Sequence, residues 1–481
     1  MNFAIVCYLI GWMLGIESIF LLLPALTAVI YGEPELPAYL IAAAISLAGA
    51  ALLCHRKPKN TRFYAREGYV TVALCWLILA VIGALPFVLS REIPFFIDAL
   101  FETVSGFTTT GATILGDVEA LSHASMLWRC LTHWVGGMGV LVFMLVVLPL
   151  AGGQTIFLMR AESPGPSVSK MSPHMRDTAT ILYAIYFGLT VLQMILLLIG
   201  GMPFFDAICV SLGTAGTGGF GNWNDSIAHY NSAYLQNVIT VFMILFGINF
   251  SAYFLILTRK FRQAFRIEEI RVYLGVIFVF AGLIAFNVRP MFGSLRESFH
   301  HALFQVASII TTTGFSTVDF DQWPTFSRAL LVLLMFIGAC AGSTGGGIKC
   351  SRILLLGKSV KKELMCLIHP RLVPVNKMDG QRVPHEVMRS INLFVVAYAF
   401  IFILSLLIIS LNCEDLVTCF TSVATTLNNV GPGLSLCGPT CNFGFFPPLS
   451  KGVLIFDMLA GRLELFPMLL LFTPGTWQRN K

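Results

Sequence analysis

The chain has 481 residues, of which 56% are hydrophobic and only 12% are charged, and its formal net charge is +6. Its mean hydropathy is +0.80. A soluble globular domain carries about 25% charged residues, so this composition excludes a large water-soluble protein and predicts an integral membrane protein.

Ten apolar stretches are long enough to span a bilayer, which takes roughly 20 apolar residues. They lie at 3–30, 37–54, 68–90, 125–150, 178–201, 234–258, 270–288, 327–350, 387–411 and 450–473. The first stretch lacks a basic segment before it and a small-residue cleavage site after it. We therefore interpret it as a retained helix and not as a signal peptide.

Basic residues occur in alternate connections between these spans. After the second, fourth, sixth and eighth spans they are Arg56, Lys57, Lys59, Arg62 and Arg66; Arg160, Lys170 and Arg176; Arg259, Lys260, Arg262, Arg266 and Arg271; and Lys349, Arg352, Lys358, Lys361, Lys362, Arg371, Lys377 and Arg382. The opposite connections are nearly free of Lys and Arg. Because Lys and Arg stay on the cytoplasmic side, both termini are predicted to be cytoplasmic.

The connections after the third, fifth, seventh and ninth spans each contain a short semi-apolar segment. They read FFIDALFETVSGFTTTGAT (95–113), PFFDAICVSLGTAGTGGFG (203–221), SFHHALFQVASIITTTGFST (298–317) and EDLVTCFTSVATTLNNVGPG (414–433). Non-helical backbone at membrane depth is tolerated only where protein buries it or where it lines a watery cavity. Four similar segments on the outer side therefore predict a pore.

The predicted fold is an all-α integral membrane protein. It has four pseudo-symmetric helix–pore-helix–helix repeats around one pore, preceded by two N-terminal transmembrane helices. The predicted units are 1–60 for the two N-terminal helices and 61–165, 166–265, 266–380 and 381–481 for the repeats, with the third repeat containing an interrupted helix.

Glycines fall at apparently equivalent places in the four segments. Glycine allows backbone conformations that turn successive carbonyl oxygens to one side, and rings of such oxygens can replace the water around a cation. The predicted ion-binding residues are Thr110, Gly111, Thr217, Gly218, Thr313, Gly314, Val430 and Gly431. The threonines offer hydroxyl ligands or hydrogen bonds to neighbouring backbone.

The eighth span is interrupted by the run FIGACAGSTGGG, residues 336–347. Its glycines resemble part of a phosphate-binding loop, but Ile348 follows them and no Ser or Thr follows Lys349, which argues against that function. Close helix packing through small residues and a flexible gate below the filter remain as alternatives. The gate residues would be Gly342, Gly345, Gly346 and Gly347.

Arg462 lies about eleven residues into the last span, near mid-membrane at 1.5 Å per residue. A charge at that depth costs roughly 2.5–3.5 kcal/mol on insertion scales and usually faces a bundle interior or a cavity. Two interpretations remain open: a structural ion pair with Glu464 or Glu102, or a positive charge beside the pore that opposes cations.

Several motifs resemble those of the Trk/Ktr/HKT superfamily of potassium transporters. They are TTTGAT (108–113), TGGF (217–220), TTTGFST (311–317) and NNVGPGL (428–434), while HWVGGMGVLV (133–142), CAGSTGGGIK (340–349) and AGRLELF (460–466) point to the bacterial TrkH branch. The second segment departs from the usual pattern because Gly216 and Gly221 make it richer in glycine, which predicts a softer loop.

The resemblance implies potassium as the transported ion, bound at the filter residues, and a location in the bacterial inner membrane. It also implies a homodimer, no cofactor bound by this chain, and gating by the glycine run and Arg462. The implied regulator is a cytosolic ring of TrkA-like subunits that bind NAD or ATP. The basic segment 349–382 would then be its docking surface, or alternatively a surface for anionic lipid.

Other functions agree less well with the sequence. A transporter of organic solutes also uses discontinuous helices, but such proteins usually have two repeats. No set of acid, base and nucleophile indicates an enzyme, and nothing indicates a nucleic-acid partner. Passive conduction and coupling to protons or sodium, as in a symporter, remain open. A disulfide between Cys437 and Cys441 on the outer side is compatible with the turn-forming residues between them.

Overall fold

The computed structural model describes residues 1–58, 64–147, 175–371 and 375–478, and within these ranges the chain is helical apart from one hairpin of β1 (Lys377–Met378) and β2 (Gln381–Arg382). The helices are α1 (Phe3–Tyr31), α2 (Leu36–Cys54), α3 (Ala65–Ser90), α4 (Phe96–Phe107), α5 (His123–Val147), α6 (Met175–Ile199), α7 (Phe204–Gly216), α8 (Ala233–Phe246), α9 (Phe250–Leu257), α10 (Phe261–Ala264), α11 (Glu268–Val288), α12 (Leu295–Ile310), α13 (Thr325–Ile337), α14 (Cys350–Ile368), α15 (His385–Ile409), α16 (Leu416–Asn428), α17 (Pro448–Arg462), α18 (Phe466–Leu471) and α19 (Pro474–Trp477). Short 3₁₀ turns occur at Ser226–His229, Arg289–Met291, Phe320–Gln322 and Ser435–Cys437.

Six helices in the described part of the chain are long and apolar enough to cross a membrane: Phe3–Tyr31, Leu36–Cys54, Ala65–Ser90, Thr180–Ile199, Glu268–Met291 and His385–Ile409. Large apolar side chains remain exposed on their outward faces, for example Ile30, Phe286 and Phe400. Such a surface suits lipid, not water. The predicted class, an all-α multi-pass membrane protein, is confirmed.

Within the residues that the structure describes, three of the ten predicted spans are not continuous helices. The sixth consists of α8 and α9, bent by 93° at residues 247–249. The eighth consists of α13 and α14 on either side of residues 338–349, where the glycine run predicted an interruption. The tenth breaks after α17, where Glu464 and Leu465 have φ values of 56° and 68°. The apolar stretches at 234–258 and 450–473 therefore do not form single helices, and the sequence analysis did not foresee these two breaks.

Some sequence predictions fall outside the described residues. They concern Lys59, Arg62, Arg160 and Lys170, and the end of the fourth span beyond Val147. The boundaries of the four repeats also stay a prediction.

The N-terminal pair α1–α2 packs against the side of the first helical unit. α1 runs along α2 and also lies against α3 and α5. The approach is close because small residues face one another, with Gly11 beside the Cys54 side chain and Gly15 beside that of Ala50. Small residues allow this kind of helix contact within a membrane.

The four short helices α4, α7, α12 and α16 occur where the sequence repeat places them, each between two longer helical segments. Each contacts the helix that follows it in the chain. Each also contacts a helix from the preceding unit: α7 lies against α5, α12 against α8 and α16 against α13. The series closes because α4 lies against α17. The short helices therefore surround a common centre.

Candidate functional site

The short helices carry the chain from one face of the protein to its centre. They are 12, 13, 16 and 13 residues long, which is too short to cross a bilayer at about 1.5 Å per residue. Asp415 caps α16 by accepting hydrogen bonds from the amides of Val417 and Thr418, and the Thr418 hydroxyl lowers the pKa of Asp415 to about 2. Since each short helix runs from that face to the centre, its C-terminal end, which carries partial negative charge, points inward.

Each short helix leads into a four-residue loop with the same backbone conformation. We call these loop 1 (108–111), loop 2 (216–219), loop 3 (311–314) and loop 4 (428–431). The second residue of each loop is left-handed, with φ of 56°, 55°, 59° and 55° at Thr109, Thr217, Thr312 and Asn429. The fourth has φ of 80°, 80°, 83° and 102° at Gly111, Gly219, Gly314 and Gly431. Glycine adopts such angles without the steric penalty that other residues incur.

This conformation corrects the register predicted for loop 2. We expected Gly218 to be equivalent to Gly111, but Gly219 holds that position, and Gly218 is equivalent to Thr110. Thr217 is then equivalent to Thr109, one place earlier than predicted. Two consecutive glycines follow Thr217, so a Thr-Gly match in the sequence pointed to the wrong one.

The four loops lie side by side and form a closed ring. A side-chain carbon built on the last glycine of any loop would fall within 2.7 Å of a backbone oxygen in the neighbouring loop. The pairs are Gly111 with the oxygen of Gly218, Gly219 with that of Thr313, Gly314 with that of Val430, and Gly431 with that of Thr110. These pairs therefore include every predicted ion-binding residue except Thr217. Thr217 also belongs to loop 2, but Gly218 holds the position in the loop that had been assigned to it.

Side-chain oxygens hold loops 1 and 3 in place. Oγ1 of Thr108 lies 2.8 Å from Oγ1 of Thr110, and the same atoms of Thr311 and Thr313 are 2.7 Å apart. Asn429 joins loop 4 to loop 1, because its Nδ2 donates to Oγ1 of Thr110 at 2.9 Å. Since these hydroxyls are engaged with one another, the backbone oxygens are the better candidates for ion ligands.

A cavity of about 130 Å³ opens on one side of the ring. It is lined by the last glycine of each loop and by residues that follow all four loops. Glu102 fixes the wall behind loop 1 by accepting hydrogen bonds from the Thr113 hydroxyl and the Ile114 amide, both at 3.0 Å. Its charge is balanced by Arg129, whose Nε lies 2.8 Å away in a buried position.

The interrupted segment (338–349) lies against the other side of the ring. The Gly346 amide donates to Oγ1 of Thr312 in loop 3 at 2.6 Å, and the Gly347 amide donates to the Asn428 oxygen in loop 4 at 2.9 Å. Side-chain carbons built on Gly345 and Gly346 would fall 2.9 and 2.5 Å from backbone oxygens of these loops. The glycines are thus needed for close contact with the ring.

The interrupted segment is also tied to the break in the sixth span and to α11. The Phe250 amide donates to the Gly342 oxygen at 3.0 Å. Glu269 holds it at two points, because its Oε1 accepts from the amides of Ala341, within the segment, at 2.7 Å and of Ser351, just after it, at 3.0 Å. The sequence analysis missed Glu269 because a Glu in the first turn of a helix is an ordinary feature of soluble and membrane helices alike.

Arg462 lies at the C-terminal end of α17, where the tenth span breaks. Its Nη1 donates to the Thr344 oxygen of the interrupted segment, and its Nη2 donates to the Gly136 oxygen of α5, both at 2.8 Å. The ion pairs considered from the sequence are wrong. Glu464 pairs with Arg352, and Glu102 pairs with Arg129.

The cysteines are not cross-linked. Cys437 and Cys441 are free thiols, one buried and one exposed, so the disulfide considered from the sequence is not formed. Among the described residues, no group of three or more His, Cys, Asp or Glu side chains could hold a metal ion. Neutral backbone oxygens are instead the ligands that surround alkali cations in selective pores.

Comparison with known proteins identifies close relatives of the whole chain. Residues 37–478 match the TrkH family, described as cation transport proteins. The chain is 38% identical to the Trk system potassium uptake protein TrkH of Salmonella typhimurium, covering 99% of this chain and all of that protein. It is 33% identical to the Trk system potassium uptake protein TrkG of Escherichia coli, covering 98% of each.

A solved structure has the same fold. The crystal structure of the potassium transporter TrkH from Vibrio parahaemolyticus superimposes with a TM-score of 0.89 at 33% sequence identity. The match covers 99% of this chain and all of the other. The names of these relatives are those of potassium transport proteins, a family of transporters and not of enzymes.

Proposed function

This chain belongs to the TrkH family of cation transport proteins and is a potassium uptake transporter, and we propose how it works. Potassium passes through the ring of loops 1 to 4, which selects it by backbone oxygens. The interrupted segment and Arg462 gate the pathway. The observation that carries the proposal is the closed ring, in which the last glycine of each loop lies against a backbone oxygen of the next.

The ring has the chemistry that a potassium filter requires. Backbone oxygens are neutral, so they can replace the hydration shell of a monovalent cation without binding it too tightly to leave. The inward-pointing ends of α4, α7, α12 and α16 add partial negative charge that favours cations. In the corrected register the filter residues are Thr110, Gly111, Gly218, Gly219, Thr313, Gly314, Val430 and Gly431.

The direct test is uptake of radioactive rubidium, a potassium analogue, by proteoliposomes containing the purified protein. We expect uptake that excess potassium suppresses and that excess sodium suppresses far less. Repeating the measurement with and without a proton or sodium gradient distinguishes passive conduction from symport. Rubidium entry that sodium suppresses as well as potassium does would contradict the selectivity of the ring.

The gate is proposed for the interrupted segment because of where it lies. It contacts loops 3 and 4 directly, Glu269 holds it at Ala341 and just beyond it at Ser351, and Arg462 donates to its Thr344 oxygen. A segment that only packed two helices together would not need hydrogen bonds to the filter loops. Opening requires the contact between Gly346 and Thr312 to break.

Removal of Gly345 and Gly346 is expected to raise rubidium leak in the absence of any activating partner. The shortened segment cannot keep its contacts with loops 3 and 4 while Ala341 and Ser351 both stay attached to Glu269. The leak should remain selective for potassium over sodium, since the ring itself is unchanged, and this selectivity separates an open gate from a damaged bilayer. Leak at the wild-type level would mean that the glycine run only packs helices.

The cytoplasmic side is proposed for both ends of the chain. The Met1 amino group donates to the Gln478 oxygen at 3.2 Å, and the rings of Phe3 and Trp477 stack, so both ends lie on one face. The basic connections mark that face as cytoplasmic. The inner membrane and a homodimeric assembly are further parts of the proposal, carried over from the family.

The proposed regulator is a cytosolic nucleotide-binding ring that docks on α14. This helix continues directly from the interrupted segment, and Arg352 near its start is joined to Glu464 at the break of the tenth span. Farther along, Val360, Leu364 and Leu367 are exposed. A partner bound there would pull on the gate through the covalent connection.

Neutralisation of Lys361 and Lys362 is expected to weaken binding of the cognate regulator and to blunt the nucleotide response. Ion selectivity should not change, because both residues lie far along α14 from the ring. Co-purification and nucleotide-dependent rubidium uptake measure the two effects. Full regulator binding in the double variant would assign these lysines to anionic lipid.

Lys358 should be changed in a separate variant, although it lies in the same basic segment (349–382) as Lys361 and Lys362. Its Nζ lies 2.6 Å from Glu268 and donates to the Lys377 oxygen at 2.8 Å. It therefore holds α14 against α11 and the hairpin. Lys358→Gln is expected to alter gating through the position of α14 even where the regulator still binds.

A further inference from the structure

Loop 2 lacks the side chains that brace loops 1 and 3. Those loops are held from behind by hydroxyl pairs formed by their first and third residues. At the equivalent positions loop 2 has Gly216 and Gly218, which have no side chains to form such a pair. By composition alone it should be the loosest of the four.

The imidazole of His133 fills the space behind loop 2. This residue belongs to α5, in the first helical unit, and is fully buried. A side-chain carbon built on Gly218 would fall within 2.6 Å of three of its ring atoms, and one built on Gly216 would collide with its backbone oxygen. The two glycines are therefore required by the histidine, since any side chain at either position would displace it.

Hydrogen bonds at both ring nitrogens join His133 to two filter elements. Nδ1 lies 2.8 Å from the Gly106 oxygen in the last turn of α4, and Nε2 lies 3.1 Å from the Phe220 amide directly after loop 2. A carbonyl oxygen only accepts and an amide only donates. The ring is therefore neutral, with its hydrogen on Nδ1 and its lone pair on Nε2.

We propose that His133 is a positioning residue of the ion filter, which does for loop 2 what the hydroxyl pairs do for loops 1 and 3. It fixes the Gly218 oxygen, the atom that lies against Gly111 of loop 1, by packing behind Gly218 and by holding the Phe220 amide. Contact with the Phe220 ring, which is tilted by 35° to the imidazole with the centroids 4.2 Å apart, adds to this. The inference rests on the proposed function of the ring as a filter.

The test measures ion selectivity, because a merely structural role would lower the amount of protein or the total flux without changing selectivity. His133→Ala leaves loop 2 without support and the buried Phe220 amide without an acceptor. We expect a roughly tenfold fall in the rubidium-over-sodium uptake ratio in proteoliposomes, of the size expected for one lost buried hydrogen bond. His133→Gln keeps an acceptor for the amide and should retain more of the ratio.

Rescue provides the sharpest variant. Adding Gly218→Thr to His133→Ala would place a side chain behind loop 2 in the space that the imidazole leaves, since the three atoms nearest to a side-chain carbon on Gly218 are ring atoms of His133. Gly216 stays glycine, because a side-chain carbon there would fall 2.2 Å from the His133 backbone oxygen, which the alanine variant keeps. The double variant is expected to recover part of the lost ratio, whereas Gly218→Thr beside an intact His133 should lower the ratio because the two side chains collide.

Two controls separate this inference from the filter assignment. His300→Ala removes a histidine of the short helix α12, whose Nε2 contacts the Gln236 side chain and not a filter loop. This variant should leave the ratio unchanged. Gly314→Ser should lower the ratio if the ring is the filter. A normal ratio in His133→Ala would overturn the role of His133 when the ratio in Gly314→Ser is altered. Where the alanine variant does not fold, the same conclusion follows from a normal ratio in His133→Leu, which fills the space but offers the Phe220 amide no acceptor. Normal ratios in both would overturn the filter as well.

Discussion

Serine in place of Gly314 is expected to lower the potassium-over-sodium selectivity of uptake roughly tenfold. Gly314 has a φ of 83°, and a side-chain carbon there would fall 2.5 Å from the Val430 oxygen. Strain in such a conformation costs about 1–3 kcal/mol for a non-glycine residue, and tenfold corresponds to about 1.4 kcal/mol. The strain is relieved by movement of the Val430 oxygen, which is a proposed ion ligand.

Gly111→Ser should have the same effect through the oxygen of Gly218, against which Gly111 lies. Competition between rubidium and sodium for uptake into proteoliposomes measures the ratio directly. Agreement between the two variants would favour a ring in which every loop contributes, over a single site made by loop 3.

Gly116→Ser is the matched control for both variants. Gly116 lines the same outer cavity, but a side-chain carbon there meets no atom within 4 Å. The same chemical change should therefore leave the ratio unaltered. If Gly111→Ser and Gly314→Ser also left it unaltered, with normal amounts of folded protein, the filter assignment would be lost.

The short helices and their loops could be predicted from the sequence because they are repeated. A single Thr-Gly pair occurs more often in an ordinary turn than in a filter, whereas four similar segments in corresponding connections favour a pore. The repeat failed only at loop 2. There the register depends on which glycine has a positive φ, and consecutive glycines look alike in a sequence although Gly218 and Gly219 contact different neighbours.

The breaks in the sixth and tenth spans were missed because hydropathy is averaged over about 19 residues, and a break of three residues such as 247–249 barely lowers it. The eighth span was different, because five glycines between 338 and 347 mark the interruption directly. The break after Arg462 precedes Pro467, which lacks an amide hydrogen and lies in the first turn of α18. A single proline is a weak signal in this chain, however, since Pro24 and Pro86 lie inside continuous helices.

The partners of the half-buried charges near the break of the tenth span could not be inferred from the sequence either. Glu464 lies only two residues from Arg462 in the sequence, a spacing at which helical side chains do not face each other, and it pairs with Arg352, 112 residues away. The side chain of Arg462 instead donates to two backbone oxygens. Backbone oxygens are present at every residue, so no residue pattern indicates which of them an arginine will reach.

Arg462→Ala is expected to raise basal rubidium flux at least tenfold without an activating partner. A unit charge about 4 Å from an ion is worth roughly 4 kcal/mol at an effective dielectric constant near 20, so removing it lowers an electrostatic barrier to cations. The substitution also removes the hydrogen bond to Thr344, which frees the interrupted segment from α17. Both consequences favour conduction.

Further variants separate the charge from the hydrogen bonds. Arg462→Lys keeps the charge but cannot hold Thr344 and Gly136 together as the planar guanidinium does, whereas Arg462→Gln removes the charge and keeps one amide donor. High flux in Arg462→Gln with low flux in Arg462→Lys would show that the barrier is the positive charge. High flux in Arg462→Lys with low flux in Arg462→Gln would show that it is the attachment of the interrupted segment. Arg328→Ala, at an arginine paired with Asp321, should leave flux unchanged. Loss of flux in folded Arg462→Ala would make Arg462 a support of the open pathway and refute its role as a barrier.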